Sequence, residues 1–333
     1  MIKFRERVNL KDFSNYRIGG PADFFFEGKN TEELKGALLE AKKLGIEIFV
    51  LGGGTNLLVR DEGFRGLVLK PSINFIEQNH EILSVGAGVL VSDLLNFTIE
   101  KELSGLEWAG GLPGTVGGAI RGNAGAFGGE IKDSILEAES LDMDSGKVIF
   151  RSVAECDFGY RSSIFKTSGP STSSGQAGEI ILSAKFSLQK GKSEDVAKAI
   201  QEKIDYRKLR HPLEYPNTGS TFKNVSVAQI NADVTQIDAD TIRVHPRGNP
   251  RLSAFTTLVK KDPFPVVPAA RLITLSGLKG KTYGGAMISE KHGNFIVNTG
   301  DAKASDVMYL IDLVKREVKN KFGIELEEEV QII

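Results

Sequence analysis

The chain has a single cysteine, Cys156, among its 333 residues. One thiol can form neither an internal disulfide nor a cysteine-rich zinc site, so the expected setting is a reducing compartment. Histidine is almost as scarce, with His80, His211, His245 and His292 the only four. They show no spacing that metal ligation favours, and no metal site is expected. Long apolar runs are also missing. No stretch approaches the roughly 18 residues of a membrane span, and the N-terminus Met1-Ile2-Lys3-Phe4-Arg5-Glu6-Arg7 has no apolar segment of the signal-peptide kind. A cytoplasmic protein without membrane contact is expected. Charge of one sign is absent as well: 42 Lys and Arg stand against 43 Asp and Glu, for a net charge of −1. With no basic block, nucleic-acid binding is not expected. The length suits two or three domains at about 150 residues each.

Glycine, in contrast, is plentiful and concentrated. Gly52-Gly53-Gly54-Thr55-Asn56-Leu57-Leu58-Val59 leaves an apolar segment. A second, longer stretch runs Gly110-Gly111-Leu112-Pro113-Gly114-Thr115-Val116-Gly117-Gly118-Ala119-Ile120-Arg121-Gly122-Asn123-Ala124-Gly125. Without a Cβ, backbone N–H groups can approach phosphate oxygens closely. One Gly-Gly-Gly is ordinarily a turn. Two such loops, the second carrying Thr115, Asn123 and a proline, point to a large ligand with two or more phosphates. Neither is a G-x-G-x-x-G opening a helix after a first strand, so a Rossmann arrangement is not expected.

The remaining pattern is mixed. Asn30 reads as the N-cap of a helix, with Glu33 completing the signal, Leu34, Ala37, Leu38 and Ala41 at helical spacing, and Gly45 at its end. Ile46 to Leu51 is a strand entering the first glycine loop, and Gly66 to Lys70 is another. Glu81 to Val85 is a strand, and Ser92 reads as the cap of a helix holding Leu94, Leu95, Thr98 and Ile99. Ile135 to Met143 and Lys147 to Arg151 form a hairpin about Asp144-Ser145-Gly146. Ile180 to Leu188 is a strand, and Ser193 starts a helix reaching about Arg210. Val307, Leu310, Ile311, Val314 and Val318 form an apolar stripe, read as a core face, capped by Ser305 and closed by Gly323. A final strand covers Glu327 to Ile333. The expected class is α+β. Residues 167–178, rich in Ser and Gly, read as a flexible loop. Residues 225–258 show no clear period.

The residues now quoted, with several more, resemble the UDP-N-acetylenolpyruvoylglucosamine reductases, flavoenzymes of peptidoglycan synthesis. The likeness is carried by an ordered set. It starts at Tyr16-Arg17-Ile18-Gly19-Gly20-Pro21-Ala22 and includes both glycine loops and Phe158-Gly159-Tyr160-Arg161-Ser162-Ser163-Ile164-Phe165-Lys166. It continues with Gly219-Ser220-Thr221-Phe222-Lys223-Asn224, Gly284-Gly285-Ala286-Met287-Ile288-Ser289-Glu290-Lys291-His292 and Leu326-Glu327-Glu328-Glu329-Val330. The Ser289 to His292 block, and the lack of an additional tyrosine-bearing loop, resemble the shorter type II branch. The resemblance implies a vanillyl-alcohol-oxidase-like (PCMH-like) FAD-binding fold, with FAD-binding lobes expected over residues 1–70 and 71–190 and a C-terminal α+β substrate domain over 191–333. It implies FAD as cofactor, NADPH as co-substrate and a sugar nucleotide as substrate; the chain is expected to be a monomer. Gly52, Gly53, Gly54, Thr55, Asn56 and Leu57, with Pro113, Gly114, Thr115, Gly117, Gly118 and Asn123, would hold FAD. Backbone amides would surround the pyrophosphate, with side-chain hydrogen bonds from Thr115 and Asn123. Neither loop contains His or Cys, so no covalent flavin link is expected.

The implied reaction has two halves. NADPH gives a hydride to the flavin, and the enolpyruvyl ether of UDP-N-acetylglucosamine then takes it at the terminal vinyl carbon. Negative charge left on the adjacent carbon spreads into the carboxylate. That charge needs stabilisation, and the carbon needs a proton donor. Arg161 matches the first need within the family motif, because a guanidinium stays charged and grips a carboxylate bidentately. Outside the motif it would read as an exposed arginine. Glu329 matches a family glutamate near the enolate, where a carboxyl group holding a proton could donate a hydrogen bond. By spacing alone Glu327, Glu328 and Glu329 are indistinguishable. Ser220 matches the family's proton donor; outside the motif it would be a turn residue after Gly219. Asn224 matches a substrate contact, and Lys223 beside it could reach a phosphate. Tyr160 packs against substrate or flavin, or belongs to the core.

Two positions depart from the family pattern. Val225 stands where a proline is usual, and Gln331 where an arginine is common, which removes a charge near the enolate. Two other readings follow. One is a flavin-dependent oxidase or dehydrogenase of a sugar or hydroxy acid on the same fold. The other is a non-catalytic flavin- or sugar-nucleotide-binding protein.

Overall fold

The computed structural model describes residues 2–167, 178–226 and 265–333. All but the two end residues of the segment read as a flexible loop, and all but the start of 225–258, lie outside the described residues. The class is α+β, as expected. The chain forms two compact units. The first holds Met1–Phe13, Gly20–Thr55 and Glu62–Leu209; the second holds Ser14–Gly19, Asn56–Asp61 and Arg210–Ile333.

Two sheets build the first unit. One orders its strands Arg5–Asn9, Pro21–Gly28, Phe64–Pro71, Ile48–Val50, with the first pair antiparallel and the others parallel. The second is antiparallel throughout, in the order Val148–Ser152, Ile135–Asp142, Glu179–Ser187, Ile82–Gly86, Ile76–Asn79. The helix Thr31–Leu44 forms where its caps require: the Asn30 side chain accepts from Glu33 N, and Gly45 ends it at φ 64. Its buried stripe of Leu34, Ala37, Leu38 and Ala41 packs with Leu67 and Leu69 of one sheet and Leu141, Ile180 and Leu182 of the other. A shared core of this kind joins both lobes, each buried leucine contributing about 1.5–3 kcal/mol.

Two expectations shift here. The helix Val91–Glu100 starts before Ser92, with Leu90 at the N-cap and no side-chain cap bond. A main-chain bridge between Leu90 and Thr115 sets its start instead, a tertiary contact that no local signal encodes. The helix Ser193–Arg210, expected with the C-terminal domain, groups with the first unit as far as Leu209. Val196 and Ile200 bury into the core beside Leu103, Leu106 and Trp108.

In the second unit the helix Ala304–Phe322 carries the expected stripe, all of it buried. It packs on an antiparallel sheet of Thr282–Tyr283, Ala286–Ile288 and Ile296–Asn298, and on the helix Ala269–Leu275. Gly323 closes it at φ 72, as expected, but Ser305 is not its cap. The Asp61 carboxylate accepts from Ala304 N at 2.7 Å and Ser305 N at 3.1 Å, which satisfies the helix start from far away in sequence. The final strand is shorter than read: Gln331–Ile332 pairs in parallel with Leu57–Leu58. Among the described residues, no helix is long and apolar enough to cross a membrane, and no group of His, Cys, Asp and Glu could hold a metal.

Candidate functional site

The two glycine loops of the first unit touch. A Cβ on Gly53 would fall 2.7 Å from Gly114 Cα and 3.1 Å from Thr115 N; one on Gly114 would fall 2.9 Å from Thr55 Oγ1. Gly114 also takes φ 106 and Gly54 φ 64, conformations that side chains rarely adopt. Glycine is thus needed here partly for the loops to meet each other. The contact leaves a row of donors. Among the described residues, the backbone N–H groups of Gly52, Gly53, Gly54, Thr55, Gly114 and Thr115 make no internal hydrogen bond. Adjacent N–H groups left without partners form an anion-binding concavity.

The cradle is narrower than the sequence suggested. Val116 N donates to Val89 O at 2.8 Å and Gly117 N to Ala87 O at 2.9 Å. Gly117 is small because a Cβ would meet the Ala87 Cβ at 2.9 Å. Thr115 caps the helix Val116–Arg121, its Oγ1 accepting from Gly118 N at 3.4 Å, while its hydroxyl hydrogen can still donate. Gly118 and Pro113 are exposed beside it. Asn123 departs from expectation. It is fully buried, and its amide is bonded to Glu130, Gly159 and Lys132. Its side chain therefore does not offer the direct ligand contact read from the sequence.

Arg161 lies in the same unit, on a tight turn. Gly159 N bonds Ser162 O at 3.0 Å and Ser162 N bonds Gly159 O at 3.2 Å. Arg161 itself takes φ 55, a sparsely populated region that costs roughly 1–3 kcal/mol for a non-glycine residue. Such strain persists where surrounding contacts hold it. Arg161 Nη2 donates to Gly125 O at 2.7 Å, and the guanidinium stands over the Tyr160 ring, 5.2 Å from its centre. Tyr160 thus supports the arginine through a cation–π contact. A second guanidinium, Arg207, was not singled out by any motif. Its Nε donates to Gly110 O at 2.9 Å, and it stands 5.3 Å over Phe127. Its Nη2 is buried without an acceptor among the described residues. Burial first, and the Arg161 charge second, lower its pKa from the usual arginine value. Two cations that repel one another in this way suit an anionic ligand.

In the second unit, Glu329 pairs through its backbone with Thr221, the neighbour of Ser220. Glu329 N donates to Thr221 O at 2.8 Å and Lys223 N to Glu327 O at 2.9 Å, with Phe222 facing Glu328 between them. In an antiparallel ladder, alternate residues share a face. That register separates three glutamates that spacing could not. Glu327 pairs with Lys223, and Glu328 with Lys315 at 2.8 Å. Glu329 lies opposite Thr221, next to Ser220. Its carbonyl accepts from Asn56 Nδ2 at 2.9 Å, and Gln331 N bonds Asn56 O at 3.0 Å. Asn56 therefore braces the glutamate, and Leu57 is a buried strand residue.

Two buried amides, Asn217 and Asn294, shape the Ser220 turn. Asn217 Oδ1 accepts from Gly219 N at 2.9 Å, where Gly219 takes φ 77. Asn294 accepts from Thr221 N on its carbonyl at 2.7 Å, accepts from Phe222 N on Oδ1 at 3.0 Å, and donates from Nδ2 to Phe222 O at 2.8 Å. Asn298 Nδ2 donates to Tyr16 O at 3.0 Å. No motif marks Asn294; the usable signal is a polar residue directly before the apolar run Phe295-Ile296-Val297. Asn224 Oδ1 accepts from Ala269 N at 3.2 Å, at the start of the helix Ala269–Leu275. Val225, the departure from the family proline, is buried in a strand paired with Val266–Val267.

Comparison with known proteins now bears on these sites. Residues 22–150 match the family described as FAD binding domain, and residues 211–333 match UDP-N-acetylenolpyruvoylglucosamine reductase, C-terminal domain. A UDP-N-acetylenolpyruvoylglucosamine reductase from Lachnoclostridium phytofermentans is 38% identical over 97% of this chain and 91% of its own. One from Clostridium novyi is 35% identical over 99% and 92%. The crystal structure of UDP-N-acetylenolpyruvylglucosamine reductase from Thermus caldophilus is similar over 99% of both chains, at 31% identity and a TM-score of 0.72.

Proposed function

The chain belongs to the UDP-N-acetylenolpyruvoylglucosamine reductase family, and we propose on that premise how its residues carry out the reaction. It is an FAD-dependent oxidoreductase of the vanillyl-alcohol-oxidase-like fold. It reduces the enolpyruvyl ether of UDP-N-acetylglucosamine to UDP-N-acetylmuramate for peptidoglycan precursors, acting as a monomer in the cytoplasm. The free-amide cradle fits FAD: the N–H groups of Gly52 to Thr55, Gly114 and Thr115 would hold its pyrophosphate. When bound, FAD supplies hydride transfer from NADPH to the vinyl carbon of the substrate.

The protein's own groups handle the charge and the proton. Arg161, already fixed at its backbone and at Nη2, grips the substrate carboxylate, where the negative charge collects. The Ser220 hydroxyl delivers its proton to the carbon beside that carboxylate. Glu329, whose backbone pairs with Thr221 beside Ser220, supports the enolate. Lys223 and Asn224 contact the sugar nucleotide. The observation that carries this reading is the row of unpartnered amides where two glycine loops meet.

Purification tests it. The protein should be yellow, release FAD on denaturation, bleach anaerobically with NADPH and recolour with the enolpyruvyl sugar nucleotide. Recolouring by oxygen alone would favour the oxidase reading. Bound flavin that NADPH does not bleach would favour the non-catalytic one.

A further inference from the structure

We propose that Asn123 is a positioning residue for Arg161, coupling the end of the second glycine loop to the turn that presents the guanidinium. Asn123 has φ 40 and no solvent exposure. Its amide has two donors and one carbonyl oxygen, and it uses them on two other segments of chain, at Glu130 to Lys132 and at Gly159. Nδ2 donates to Glu130 Oε2 at 2.9 Å and to Gly159 O at 2.9 Å, and Oδ1 accepts from Lys132 N at 3.1 Å. Gly159 O is the same carbonyl that closes the Gly159–Ser162 turn. Gly125, just beyond Asn123, accepts from Arg161 Nη2 at 2.7 Å. This short segment thus grips Arg161 at both ends: its turn through Asn123, and its guanidinium through Gly125.

The grip matters because Arg161 holds a left-handed backbone that a free chain rarely visits. A guanidinium that must meet a carboxylate along two parallel hydrogen bonds tolerates little misplacement, and a shift of about 1 Å can cost on the order of 100-fold in rate. Aspartate at position 123 keeps the side-chain shape but has no donors. It would leave Gly159 O without that bond and set a carboxylate against Glu130.

The inference rests on Arg161 acting on the substrate, so the test separates the two. Holoenzyme is reduced anaerobically with dithionite and mixed with the enolpyruvyl substrate, and flavin reoxidation is followed across substrate concentrations. FAD affinity is measured in parallel. Asn123→Asp should slow reoxidation or weaken substrate binding about 10- to 100-fold while FAD affinity holds. The double variant with Arg161→Gln should be no worse than Arg161→Gln alone. Gly125→Ala, whose Cβ would lie 3.3 Å from Arg161 Nη1 and 2.7 Å from Glu130 Cγ, should show the same phenotype and serves if Asn123→Asp folds poorly. Fully additive losses, or FAD affinity falling in step with reoxidation, would overturn the positioning role. Unchanged reoxidation in Arg161→Gln would instead sink the Arg161 assignment, and this inference with it.

Discussion

Gly53→Ala is the sharpest perturbation of the cofactor cradle. The new methyl group would sit 2.7 Å from Gly114 Cα, 3.1 Å from Thr115 N and 3.2 Å from Gly114 C. All three are backbone atoms, so no side chain can swing aside. The loops must part by several tenths of an ångström before contacts become ordinary, and the amides of Gly114 and Thr115 move with them. Overpacking of this kind costs about 1–3 kcal/mol. If that cost falls on the cradle, FAD affinity drops about 5- to 150-fold. Apo-protein titrated with FAD, with flavin fluorescence as the signal, measures the loss. A thermal melt of the apo-protein should fall as well, because the clash exists without ligand. Gly118→Ala is the comparison. Its Cβ would meet only Thr115 Oγ1 at 3.5 Å, so the apo melt should hold, and any loss of FAD affinity there reports the ligand's own approach. If Gly53→Ala melts and binds FAD like wild type, the loops do not need to meet for the cradle to work.

Three further outcomes are expected. Cys156 is buried, and burial pushes its thiol up to about 11, so a thiol reagent at neutral pH should modify it only after denaturation. Burial, and then the Lys279 charge, lower His292 from 6.5 to about 4. The folded state therefore favours the neutral ring. Its contribution is complete above pH 6.5 and is lost as pH falls towards 4, reaching about 2 kcal/mol by pH 5. Urea unfolding at pH 7 and pH 5 should show this loss in wild type and a smaller one in His292→Gln. Asp61→Ala should destabilise by about 1 kcal/mol through the start of helix Ala304–Phe322, and Ser305→Ala by less, because it removes only a hydroxyl bond to Asp61 and leaves both backbone bonds; equal effects would contradict the cap assignment.

What could be read from the sequence followed from how local each cause was. The helix Thr31–Leu44 was readable from Asn30 to Gly45 because both caps are adjacent to it. The helix starts near Ser92 and Ser305 have no local signal, because Leu90 is fixed by Thr115 and Ala304 by Asp61, both remote in sequence. The glycine loops were readable as a phosphate cradle. Their division of labour was not: Gly53 and Gly114 make room for each other, and Gly117 makes room for Ala87. Asn123 carried the right residue type for a ligand contact, and only its burial shows that its bonds point inward. The acidic run at 327–329 could be resolved only by the pairing register with Thr221 to Lys223.

One single-turnover experiment tests Ser220 as the proton donor most directly. Ser220→Ala holoenzyme should be bleached by NADPH at the wild-type rate. Its reduced flavin should then be reoxidised by the enolpyruvyl sugar nucleotide about 10²- to 10⁴-fold more slowly than in wild type. Wild-type reoxidation in that variant would mean that Ser220 does not supply the proton.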